Sequence, residues 1–112
     1  HDVPARETLA LSCESLKVTT RLMQVIAWLL NHKAFRAGEL SVNELYDENR
    51  ALGVAVASEA VLVALLPPAA AELARASEEL YYRVHRIAAR LAVRYQEEVP
   101  VHGMMSRLER AF

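Results

Sequence analysis

Glycine and proline are scarce in this chain, three and four in 112 residues. That is too few turn formers for an all-β fold of many short strands. The single cysteine, Cys13, excludes an internal disulfide, and its neighbours Ser12 and Glu14 supply no positive charge to stabilise a thiolate. A reducing, cytoplasmic setting fits best. Neither sign of charge is in excess: 13 basic and 14 acidic residues leave a formal net charge of -1, so no global field draws the chain to nucleic acid or to an anionic membrane. No stretch reaches the roughly 18 uninterrupted apolar residues of a membrane span, and no basic-then-apolar leader opens the chain. Chemistry-bearing spacings are missing as well. There is no Glu-x-x-His pair, no two histidines four apart, no Gly-rich phosphate loop, no Gly-x-Ser-x-Gly and no Cys-x-x-Cys. Ser12, Cys13 and Glu14 are sequence neighbours, but on a helix they point about 100° apart and do not form a reactive cluster. No metal, cofactor or catalytic residue is expected.

Present in abundance are helix formers arranged with helical periodicity. Hydrophobic residues make up 54 % and charged residues 24 %, a globular composition at a length that supports one modest core. From about Thr8 to Arg36 nothing interrupts a helix, and Gly38 stands just past its end, where a C-terminal cap belongs. In GELSVNEL, Ser41 and Glu44 have the spacing of a capping box, with Leu40 and Leu45 as a hydrophobic staple, and a second helix is expected to run to about Leu52, before Gly53. The run VAVASEAVLVALL is compatible with helix or with extended chain. Pro67 and Pro68 start a third helix that Pro100 ends, and MMSRLERAF after Gly103 reads as a short amphipathic tail through Met105, Leu108 and Phe112. The expected architecture is all-α: a single three-helix bundle over residues 1–99, with long first and third helices, followed by a tail over 100–112.

The first helix carries more apolar surface than one core face requires. At about 100° per residue, Leu9, Leu16, Met23 and Leu30 form one stripe, with Ala27 and Ala34 beside it. Leu11, Val18, Leu22, Val25 and Leu29 form another. A bundle buries one broad face of each helix. The first stripe is therefore assigned to the core and the second to an isologous dimer in which the first helix meets its symmetry mate. Gln24, on the polar remainder, and Trp28 with Phe35, on an edge shared with Lys17 and Arg21, are candidates for a partner's footprint. In the third helix Leu73, Leu80, Val84, Ile87, Leu91 and Tyr95 line one face, while Ala74, Tyr81 and Ala88 permit close approach of another helix. Its Arg83, Arg86, Arg90 and Arg94 fall in a narrow arc. They suit anchoring of acidic segments in a protein partner better than nucleic acid, because Glu79 and Glu97 share the arc and no basic excess exists.

Two stretches are familiar. LSCESLKVTTRLMQVIAWLLNHKAFRAGELSVNE and LLPPAAAELARASEELYYRVHRI, together more than half the chain, resemble the RcdA family (regulator of CtrA degradation) of alphaproteobacteria. The Arg-Leu-Met-Gln-Val-x-x-Trp-Leu-Leu segment is the more specific of the two. The resemblance implies a homodimeric three-helix bundle without enzymatic activity. Such a protein is an adaptor or accessory factor that helps the ATP-dependent ClpXP protease receive cell-cycle regulators, with the protease and its regulatory factors as partners. The alternative is a small dimeric DNA-binding transcriptional regulator that uses the arginine face of the third helix.

Overall fold

A computed structural model describes residues 2–98 and 108–109. It is all-helical, and no strand occurs among the described residues. Two long helices dominate: α1 (Asp2–Arg36) and α4 (Pro68–Glu98), with α2 (Val42–Leu45), a 3-10 turn (Glu48–Arg50) and α3 (Ala60–Val63) between them. At about 1.5 Å per residue, the 35 residues of α1 span about 52 Å. The molecule is correspondingly elongated, with extents of 62 × 31 × 20 Å and a radius of gyration of 18.6 Å, against about 13 Å for a compact domain of this length.

The ends of the long helices follow from their punctuation. Beyond Arg36 the chain turns on Gly38, whose φ of 79° suits only a residue without Cβ. The Glu39 N–H donates to Ala34 O and the Gly38 N–H to Phe35 O, the paired bonds of a Schellman cap. Pro68 opens α4 at its first position, where a missing N–H costs nothing.

The two long helices lie side by side and run parallel. Arg21 reaches Ala74 and Ser77, Val25 packs with Tyr81 and Val84, and His32 shares a cleft with Leu91 and Tyr95. The connection over residues 37–67 must therefore carry the chain back along the pair, and only part of it is helical. The Ser41–Glu44 capping box is formed in both directions. Yet α2 stops after one turn instead of reaching Leu52, because the Asp47 carboxylate accepts from the Asn49 N–H and starts a separate 3-10 turn. Residues 52–59 form an irregular strap that leaves Ala51 and enters Glu59 in extended backbone, and Ala60–Val63 are helical, so VAVASEAVLVALL divides between non-helical chain and helix. Apart from Leu108 and Glu109, which are helical, the expected tail over 100–112 lies outside the described residues.

Candidate functional site

The core that fixes the functional surfaces is partly ionic. Glu14, Lys17, Arg21 and Gln24 lie on the side of α1 that meets α4 and the strap over 52–58. Arg21, only 1 % exposed, donates from Nη1 to Ser77 Oγ (3.0 Å) and Ala74 O (3.4 Å), and from Nη2 to Val56 O (3.0 Å) and Ser58 Oγ (2.8 Å). One guanidinium thus ties three segments together, using its fixed fork of donors. Farther along, Gln24 Oε1 accepts from the Gly53 N–H at 2.8 Å, and the Tyr81 hydroxyl donates to Gly53 O at 2.5 Å. Glu78 Oε2 accepts from the Ser58 N–H at 3.4 Å. A strap with no ladder of its own has its buried backbone groups satisfied by side chains of both long helices.

Glu14 is as buried as Arg21 and sits 2.8 Å from the Lys17 ammonium. Burial pushes its carboxyl up, but the Lys17 ammonium and the Ser58 hydroxyl beside it, together with the Arg21 charge, outweigh this and hold it below the ordinary value. Lys17 is raised in turn, chiefly through its ion pair with Glu14. These groups are occupied with one another and build structure. Among the described residues, no group of three or more His, Cys, Asp and Glu is placed to hold a metal ion.

The strap, α2 and α3 cover one side of the helix pair; the other side is open and carries rows of large apolar side chains, with Ser12, Ser15 and Thr19 among them. On α1 the exposed arc runs from Leu11, Ile26 and Leu29 round to Leu9, Leu16, Met23 and Leu30, the last four each more than half exposed. On α4 it comprises Leu73, Leu80 and Ile87. The two rows adjoin, since Leu11 and Val18 of α1 and Leu73 and Ala74 of α4 line one recess of about 160 Å³. Both long helices therefore contribute to a single uncovered face, of the kind that marks interaction sites.

This placement corrects the assignment of the stripes. Leu9, Leu16, Met23 and Leu30, assigned to the core, are exposed, whereas Val18 and Val25, assigned to a dimer mate, are buried within the subunit. Leu22 is half-buried, and Leu11 and Leu29 remain exposed. Polar Glu14 and Arg21 occupy the core positions that apolar residues were expected to take. The partner candidates divide as well. Gln24 is committed to Gly53, and Trp28 packs on the Val25, Tyr81 and Val84 cluster. Phe35 stands exposed near the end of α1, and Arg83, Arg86, Arg90 and Arg94 are all exposed on α4. Of the groups missed from sequence, Arg21 carried a usable signal, the seven-residue spacing Glu14, Arg21, Trp28 in register with Val18 and Val25. Ser58 and Ser77 carried none.

A family model described as "Protein of unknown function (DUF1465)" matches residues 1–112. No curated protein and no solved structure matches the chain.

Proposed function

With membership of the DUF1465 family as premise, since the family match spans the whole chain, we propose that this protein is a non-enzymatic, homodimeric helical adaptor that acts by binding other proteins. The observation that carries this reading is the open apolar face shared by α1 and α4. Leu11, Ile26 and Leu29 beside Leu73, Leu80 and Ile87 make a surface along two helices that one subunit leaves in water, and a second copy covering it would remove that cost through the hydrophobic effect. Light scattering behind a sizing column is expected to return twice the 12.5 kDa subunit mass at micromolar concentration; a clean monomer would exclude the dimer.

The finer reading, a cytoplasmic accessory factor in ClpXP-dependent degradation of cell-cycle regulators, rests on the resemblance of the α1 and α4 segments to the RcdA family. Its test is a reconstituted degradation reaction, in which the protein accelerates loss of a regulator only with ClpXP and ATP present. Crosslinking in cells that returns no protease component would count against it.

A second reading has one observation behind it. Arg83, Arg86, Arg90 and Arg94 are exposed on α4, and none has a carboxylate of the described residues within 4 Å. A mobility shift with duplex DNA that fades steeply with salt would favour a DNA-binding regulator; no shift at low salt eliminates it.

A further inference from the structure

At the end of the molecule where α1 finishes, a two-chambered cleft opens between α1, α2 and α4. The outer chamber, about 340 Å³, is walled by Phe35 and Arg36 from the last turn of α1 and by Arg94 and Tyr95 from α4. The inner chamber, about 130 Å³, runs in to Trp28 over the small residues Ala88 and Ala92. His32, Leu45, Tyr46 and Leu91 line both and form the throat.

The walls are set before any ligand arrives. Tyr46 stacks on Tyr95 with centroids 4.4 Å apart and planes 13° apart, and the Tyr95 hydroxyl donates to Asn43 Oδ1 at 2.8 Å. The His32 and Trp28 ring centroids are 4.0 Å apart. Such fixed aromatic walls lower the ordering cost of binding. The inner chamber is close to the roughly 150 Å³ that admits a benzene-sized group, so it suits one aromatic or branched aliphatic side chain.

Charge selects what accompanies that side chain. Arg36 and Arg94 flank the outer chamber with no carboxylate of the described residues within 4 Å. Arg50 borders the inner one and donates to Asn31 Oδ1. Against these stand Glu98 at the outer rim and Asp47 at the inner. Three guanidinium groups therefore face two carboxylates, and Asp47 already accepts from the Asn49 N–H.

We infer that this cleft is a recognition site for a peptide segment of a protein partner, one that inserts a single aromatic or branched apolar side chain against Trp28 and places flanking carboxylates on Arg36 and Arg94. Arginines beside an aromatic-lined pocket are the composition of interface hot spots, and paired guanidiniums read carboxylates with geometric specificity. The inference deepens the adaptor reading by naming where a delivered partner is held, apart from the open face assigned to the second copy.

Trp28 is the chain's only tryptophan, so occupancy of the inner chamber has an intrinsic reporter. The probes are 12-residue synthetic peptides with one central Phe flanked by Asp and Glu, a counterpart with Phe replaced by Ala, and a counterpart with the acids replaced by Lys, all titrated into the full chain. The Phe peptide with acidic flanks is expected to shift Trp28 emission and to bind at least tenfold more tightly than either counterpart. R36E/R94E, changed at exposed positions, should lose at least tenfold in affinity for it and gain affinity for the Lys-flanked peptide. Ala88→Phe should fill the inner chamber and remove the emission change. Equal binding of acidic and Lys-flanked peptides, or R36E/R94E binding unchanged, overturns the inference. Loss of self-association in R36E/R94E would assign the cleft to a second copy, overturning it while the dimer stands. Should crosslinked protein partners persist in R36E/R94E, only this site fails; should wild type capture none, the adaptor reading fails with it.

Discussion

Arg21 and Gly53 show how much of this fold depends on single residues that hydropathy ranks as unremarkable. Replacing Arg21 by Met keeps bulk but leaves buried Ser77 and the part-buried Val56 O and Ser58 Oγ without their donor. The expected cost is about 3 kcal/mol or more, read from the urea midpoint, while Arg75→Met, which breaks only exposed pairs with Glu72 and Glu79, should leave that midpoint unchanged. At Gly53 an added Cβ would lie 2.6 Å from Gln24 Oε1. Gly53→Ala should therefore push the Gln24 amide aside and cost about 1 kcal/mol, the worth of its hydrogen bond to the Gly53 N–H, and less in a Gln24→Ala background, a coupling that a double-mutant cycle measures. Titration supplies a third test. His32 is held below its ordinary 6.5 by burial and then by the Arg36 charge; the unfolded chain thus takes up the proton first, and stability is complete above 6.5 and falls as pH drops below it. Glu14, lowered from 4.5, adds its loss only below that value, and Lys17, raised from 10.5, only above its own. Between pH 7 and 5 the decline in melting temperature should belong to His32 and flatten in His32→Gln.

At the scale of elements, the long helices are set by local chemistry and the connection by competition. Gly38 ends α1 because the Schellman cap needs a positive φ there; Gly38→Ala should cost about 1 kcal/mol of backbone strain, visible as a lower melting temperature without loss of helical signal. The start of α2 was legible in Ser41 and Glu44, and its early end was not. Helical periodicity through Leu45 and Leu52 suggested continuation, but the Asp47 side chain offers the backbone a turn instead, and the segment after Gly53 is then held open by Gln24, Tyr81 and Arg21. Those partners come from helices 28 to 35 residues away in sequence, beyond the reach of any local pattern.

The whole molecule is a parallel helix pair clothed on one side. An open face of this kind predicts opposite outcomes for two charge insertions in α1. Leu16→Glu, at an exposed position, should keep the fold and, in the proposed dimer, weaken self-association. Val25→Glu, at a buried one, should unfold the subunit, because an unpaired charge in the core costs several kcal/mol. Circular dichroism and light scattering on the same samples separate the two.

By itself the sequence determined the all-helical class, the C-terminal end of α1, the start of α4 and the capping box at Ser41, since each depends on residues within a few positions of one another; the start of α1, expected at about Thr8, lies six residues earlier at Asp2. It also determined that α1 has more apolar surface than one face can bury. Which stripe faces inward was decided only by tertiary structure. Periodicity measures the angle between stripes, and both were apolar; the choice went to the side where Arg21 finds carbonyls and hydroxyls on the strap and on α4, and where Gln24 finds the Gly53 N–H. Buried polar groups must meet their partners. Those partners come together only when the chain folds.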